Sequence, residues 1–225
     1  MEEIELITTG LNSVFSFIAQ DGSKRIVTKS LVSGIQGGKT IMVGNDEYRI
    51  WDPYHSKLAA LILKGVSVPL KRDSTVLYLG AANGTTAIHV SDIVSEGKVF
   101  AVEFSPRAMK DLINISIPRM KLVPIFADAR HPDEYRNMVT EVDLIYQDIA
   151  QREQAEIAIR NADIFLKKGG LLILMIKSRS IDSTKKVHDV INDEIRKLED
   201  FFNIKERINL EPFHYDHASV IAEYC

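Results

Sequence analysis

The sequence predicts an α/β fold, a mostly parallel sheet behind a small antiparallel β-rich unit, and three patterns carry that prediction. Unbroken apolar runs recur at 75–79, 99–102, 122–126, 142–146 and 171–176. Helical spacing of apolar residues fills the gaps, near 86–95, 105–116, 132–139 and 151–166. Upstream of about residue 50 the texture changes to short β-branched or alternating runs divided by turn residues. A strand covered on both faces reads as a continuous apolar run, and its alternation with helices implies parallel pairing.

Taken in order, the first runs are 14–18, 25–28 and 40–43, separated by Asp21-Gly22, Gly37-Gly38 and Gly44-Asn45-Asp46. Such dipeptides are hairpin signals, so a small antiparallel sheet is expected. Trp51-Asp52-Pro53 marks a boundary, because proline restricts the residue before it and suits a helix start. This gives a β-rich unit over 1–52 and a larger domain over 53–225, opened by a helix over 54–63. After the alternating segments, a helix near 184–200 precedes strand-like runs at 203–210 and 218–223. Their short connection, Glu211 to His217, predicts an antiparallel pair at the sheet edge. The sheet then has seven strands, with an antiparallel edge strand.

Composition excludes several classes. No stretch approaches the roughly 20 apolar residues that cross a bilayer, so no membrane role is expected. MEEIELITTG is acidic and lacks the features of a secretory signal, and the lone Cys225 suits a reducing compartment, so the expected location is cytoplasmic. One cysteine and six histidines without paired spacing predict no metal site. The net charge of −3 lacks the basic surplus of a protein that grips nucleic acid unaided. If the substrate is RNA, part of the grip comes from elsewhere.

The segment LYLGAANGTT (77–86) follows the first strand of the large domain and opens a helix, where a doubly wound sheet binds its nucleotide. In the dinucleotide pattern the loop has a second glycine so that backbone can approach a pyrophosphate. Here Gly80 is kept but Ala82 holds that second position, which favours a ligand without phosphate such as S-adenosylmethionine. Thr85 and Thr86 can cap the helix and offer hydroxyls to the amino-acid end of such a ligand. Glu103 ends the next strand, 23 positions past Gly80, where a carboxylate can accept from both ribose hydroxyls. Phe104 can lie against adenine, and Asp128, ending the third strand, can accept from the adenine amine. The set predicts a Rossmann-like S-adenosylmethionine methyltransferase fold.

Asp148 ends the fourth strand and Lys177 the fifth, both at the carboxyl edge where ligands bind. Burial of an ammonium favours the neutral amine, which can take a proton from a weakly acidic hydroxyl, while a nearby carboxylate opposes this. Asp148 and Lys177 therefore have two competing readings, base with its neighbour or lysine with its orienting carboxylate. Methyl transfer from a sulfonium needs in-line approach more than acid–base help. Alone, Lys57 reads as a surface lysine, and His217 does not stand out among the histidines.

Read together, Trp51-Asp52-Pro53 with Ser56-Lys57-Leu58-Ala59-Ala60, LYLGAANGTT, AVEFSPR, ADAR, YQDIAQ and MIKSRS resemble the fibrillarin family. These are the RNA 2′-O-methyltransferases of box C/D guide ribonucleoproteins. The resemblance spans nearly the whole chain and, without a glycine-arginine tail, is to the archaeal form; Asn83 stands where most relatives carry serine. It implies donor contacts at Thr85, Thr86, Glu103, Phe104, Asp128, Ala129, Asp148 and Gln151, and a catalytic group of Lys57, Asp148, Lys177 and His217. It also implies a Nop-domain scaffold protein, a kink-turn-binding protein, a box C/D guide RNA and a target rRNA or tRNA as partners. Docking through the N-terminal unit and guide pairing would account for the weak charge, with Lys177 and Arg179 along the RNA path. Two other functions fit the same residues: methylation of a protein or small molecule, and a silent protein that uses the donor pocket only for assembly.

Overall fold

A computed structural model of the protein describes residues 4–34 and 38–225. Of the expected Gly37-Gly38 turn, Gly37 lies outside the described residues.

Five short strands form the N-terminal antiparallel sheet: β1 (Ile7–Thr8), β2 (Val14–Ile18), β3 (Lys24–Lys29), β4 (Thr40–Val43) and β5 (Asp46–Trp51), in the order β1-β2-β3-β5-β4. The Gly44-Asn45 turn forms as a two-residue hairpin loop, with Val43 opposite Asp46. Its second arm, β5, was not expected, because Asp46-Glu47-Tyr48-Arg49 looks like loop. Arg49 is nonetheless fully buried, and Tyr48 and Trp51 are buried beside it.

The larger unit opens with α1 (Lys57–Leu63), three residues later than the spacing predicts. Asp52 is the reason: its carboxylate accepts from the Tyr54 amide (2.9 Å) and its carbonyl from the Ser56 amide (3.0 Å), which makes a turn. Ser56 then caps the helix, its Oγ accepting from the Ala59 amide. There follow β6 (Thr75–Leu79), α2 (Thr85–Ile93), β7 (Lys98–Glu103), α3 (Pro106–Ser116), β8 (Leu122–Phe126), β9 (Val142–Gln147) and α4 (Gln154–Phe165). The chain ends with β10 (Leu166–Lys177), a short α5 (Ser178–Ile181), α6 (Val187–Leu198), β11 (Phe202–Asn209) and β12 (His217–Tyr224). The helix expected over 132–139 shrinks to one 3-10 turn, Pro132–Tyr135.

The seven strands run β11-β12-β10-β9-β6-β7-β8, with parallel pairing from β10 through β8. β12 runs antiparallel to both β10 and β11, so the last two strands form the antiparallel pair at one edge. Alternate residues feed two cores: Val76 and Tyr78 face one with α1 and α2, while Leu77 and Leu79 face the other with α4. Val14, Ile26 and Trp51 of the N-terminal sheet join the first core. Trp51 stacks on His89 of α2 at 4.5 Å. Asp92, at the far end of α2, takes Arg119 Nη1 at 2.5 Å, the Leu31 amide at 3.1 Å and Arg49 Nε at 3.7 Å. Buried charge is tolerated when paired in this way. The N-terminal sheet is thus fastened to the helix that carries the glycine loop. Among the described residues, no helix is long and apolar enough to cross a membrane.

Candidate active site

Between Leu79 of β6 and Thr85 of α2 the chain must leave the sheet edge and reverse. Gly80 does this at φ +79°, its amide donating to the Val102 carbonyl at 3.0 Å. A Cβ there would lie 2.8 Å from the Asp148 carbonyl oxygen and 2.9 Å from Ile149 Cγ2. The missing side chain is what lets the loops after β6 and β9 meet. Ala82 is also left-handed, at φ +48°, and its amide donates to Glu103 Oε2 at 2.8 Å. Glu103 Oε1 accepts from the Ser105 amide at 2.7 Å, so this largely buried carboxylate is fixed by backbone donors on two loops.

These loops border a cavity of about 320 Å³ at the carboxyl edge of the sheet. Gly80, Ala82 and Glu103 line it on one side, Phe104, Ala127 and Ala129 on another, and Asp148, Ile149, Gln151 and Lys177 on the third. Phe104 is 56% exposed and forms the rim. Gln151 contributes a buried Oε1 with no hydrogen-bond partner among the described residues.

Three of the expected donor residues have protein partners of their own. Thr85 and Thr86 do not cap α2: Gly84, at φ +88°, holds the cap position, and no side chain bonds there. The threonines follow as the first two helical residues, too late to bend back to their own helix amides. Thr86 instead donates to Ser56 Oγ at 2.9 Å, and Thr85 to Asn83 Oδ1 at 3.4 Å. Asp128 is not among the residues lining the cavity. Arg130 grips its carboxylate through Nε and Nη2, at 3.0 and 2.6 Å from Oδ2, and this pairing holds Asp128 below the usual carboxylate range.

Beside the cavity the chain assembles a charged cluster. Asp148 leaves β9 just past its last pairing; Lys57 is the first residue of α1; Lys177 ends β10 and is the cross-strand partner of His217 on β12. Asp148 Oδ1 lies 3.1 Å from Lys57 Nζ and 2.8 Å from Lys177 Nζ. Lys57 Nζ also reaches Oδ2 at 3.2 Å, and Lys177 Nζ the Asp148 carbonyl at 3.1 Å. Burial would raise the Asp148 carboxyl, but the ammoniums of Lys57 and Lys177 outweigh it and hold the group ionised below its ordinary value. Lys57 is pushed down from the usual lysine value by burial, with Asp148 opposing.

His217 completes the cluster. Its Nδ1–H donates to the Tyr215 carbonyl at 2.5 Å, which leaves Nε2 as an acceptor on the neutral ring. Burial lowers its pKa, aided by Lys57 and Lys177. His214 donates from Nε2 to the Pro53 carbonyl at 2.8 Å and closes the 211–217 connection onto the segment before α1. Sequence reasoning missed Ser56 and Gln154. Ser56 was recoverable as a helix cap preceding an apolar run. Gln154 carried no signal, since a glutamine opening a helix ordinarily faces water.

No group of three or more His, Cys, Asp or Glu able to hold a metal occurs among the described residues. The strand order and the glycine-loop cavity at the carboxyl edge define a Rossmann-like methyltransferase. The fibrillarin family model matches residues 7–225, and the chain belongs to the fibrillarin family. It is 49% identical over 209 residues to a fibrillarin-like rRNA/tRNA 2′-O-methyltransferase of Pyrococcus horikoshii, covering 91% of this chain and 92% of that one. Aeropyrum pernix fibrillarin, solved with natively bound S-adenosyl-L-methionine, matches with a TM-score of 0.90 and 43% identity, covering 99% and 100% of the two chains. Fibrillarin solved in a complex with Nop5p matches at 0.85 and 42%, covering 93% and 97%.

Proposed function

We propose that this chain is the catalytic subunit of a box C/D guide ribonucleoprotein, methylating the ribose 2′-hydroxyl of guide-selected nucleotides in rRNA or tRNA. Residues 53–225 are the methyltransferase domain, and 1–52 a unit for docking. The observation that carries the reading is Asp148, held between Lys57 and Lys177 at the glycine-loop cavity, with His217 the cross-strand partner of Lys177.

The residues present fit S-adenosylmethionine. The cavity walls are mostly apolar, Glu103 keeps lone pairs beyond its two backbone bonds, and Gln151 Oε1 is a buried acceptor in want of a donor. Glu103 and Phe104 would hold the nucleoside, Ala129 and Gln151 its base end, and Gly80, Ala82 and the α2 amides at Thr85 and Thr86 its amino-acid end. When bound, the donor supplies an electrophilic methyl group on a sulfonium. The protein supplies position and a route for the proton. Asp148 fixes both ammoniums, and Lys177 and Lys57 orient the ribose hydroxyl and stabilise negative charge as its proton leaves. His217, whose Nε2 carries no proton in the neutral ring, is the group we assign to accept that proton.

The formal charge of −3 supports a division of labour, in which a Nop-domain scaffold, a kink-turn-binding protein and the guide RNA hold the target. A reducing cytoplasm suits the single, exposed Cys225. In complexes reconstituted with scaffold and guide, Lys177→Ala or Asp148→Ala is expected to lower single-turnover methylation about 100-fold or more, the scale of a lost transition-state donor. Full methylation by either variant overturns the assignment.

A further inference from the structure

Gln154 is fully buried at the first turn of α4, and none of the expected site residues includes it. Its side chain nonetheless touches two that are expected to act. β9 pairs with β10 as far as Gln147 opposite Leu174, whereas β10 runs on to Lys177. Beyond that point a strand amide loses its parallel neighbour, and a buried amide without an acceptor is costly. Gln154 Oε1 takes the neighbour's place, accepting from the Lys177 amide at 3.0 Å. The other end of the same carboxamide, Nε2, donates to the Gln151 carbonyl at 3.0 Å. Its backbone carbonyl accepts from Gln147 Nε2 at 2.7 Å, and Gln147 is buried and directly precedes Asp148.

We infer that Gln154 is a positioning residue that sets the donor-side loop at Gln151 and the acceptor-side lysine at Lys177 to one spacing. The inference rests on the methyl-transfer reading. A planar carboxamide has an acceptor at one end and a donor at the other at every pH, and both are used; the isosteric glutamate keeps the donor only when protonated. Its two bonds act on different halves of the reaction. The one to Gln151 holds the wall of the donor cavity, and the one to Lys177 holds the backbone from which the ammonium reaches Asp148.

Two substitutions separate the halves. Gln154→Glu, assayed at the alkaline end of the protein's stable range so that the carboxylate is ionised, keeps an acceptor for the Lys177 amide but turns the donor toward Gln151 into a second acceptor. Gln154→Leu removes both. Isothermal titration of the purified protein with S-adenosylmethionine and single-turnover methylation by the reconstituted guide complex at saturating donor are the readouts. Gln154→Glu is expected to bind S-adenosylmethionine about tenfold more weakly, the scale of one lost buried hydrogen bond, and to slow the single-turnover step much less than Gln154→Leu does. Gln154→Leu is expected to lose affinity similarly and also to slow the step by on the order of 100-fold, as a displaced reactive group does. A merely structural glutamine would lower the melting temperature in both variants without dividing affinity from rate. Equal rates in both, or unchanged donor affinity in Gln154→Glu, overturns the inference. If Gln154→Leu does not fold, the affinity and rate of Gln154→Glu still decide it. Inactivity of the unsubstituted complex on RNA would instead defeat the proposed substrate, and the titration would still test the Gln151 arm.

Discussion

At the scale of single residues, the cluster around Asp148 converts geometry into dependence on pH. Because His217 is held below the ordinary histidine value, its neutral form prevails at neutral pH and is lost on acidification. If His217 accepts the proton, the single-turnover rate rises with pH through an ionisation below about 6.5 and then levels. In His217→Gln that acid limb should vanish; a limb that survives there excludes the histidine. Asp148 has the opposite bearing on stability. Its folded pKa lies below the unfolded one, so its stabilisation is complete above about 3.9 and lost as pH falls through the lowered value. Asp148→Asn should therefore be less stable than the unsubstituted protein near neutrality, by about 2 kcal/mol for a broken, partly buried pair, and the gap should close in acid. Gly80→Ala tests the loop contact. Left-handed backbone and a Cβ 2.8 Å from the Asp148 carbonyl should cost at least about 2 kcal/mol in denaturant unfolding, with loss of S-adenosylmethionine binding. An unaffected melt and titration would show that the loops need not meet. Some of this was legible in the chain: Gly80, Glu103, Asp148 and Lys177 each end a strand or open a loop, and strand ends can be read from apolar runs. Lys57 and His217 came only through the resemblance, since their nearness to Asp148 depends on strand order and on α1 packing across the edge.

At the scale of elements, α2 works as a tie between the two sheets. Thr86 at its start bonds Ser56 beside Lys57, and Asp92 at its end binds Leu31, Arg119 and Arg49. Asp92→Asn should remove about 3 kcal/mol of stability, because the buried arginine Arg119 loses its charge partner. Chemical denaturation measures it, and a change under about 1 kcal/mol would mean that the network contributes little. The elements misjudged from sequence fail for physical reasons. β5 hides behind charged residues whose partners lie on another element. The segment at 132–139 shows helical spacing but closes only one turn, with Tyr135 turned into the core and bonded to Asn161. α1 begins late because Asp52 competes for the amides of its first expected turn. Apolar periodicity registers burial well and such local competition poorly.

At the scale of the whole molecule, the chain has a net charge of −3 and so lacks the basic surplus of a protein that grips RNA unaided. Under the proposed function, such an enzyme relies on others to deliver substrate. The isolated chain is expected to bind S-adenosylmethionine yet show negligible turnover on free RNA, with methylation appearing when scaffold and guide RNA are added. Robust guide-independent turnover would contradict that division. The most direct test of the central claim offers the reconstituted complex a guide-matched target RNA, and the same RNA with a 2′-deoxy residue at the selected position, using methyl-labelled donor. The account predicts one label on the selected ribose of the first and none on the second; label that persists on the deoxy target would contradict it.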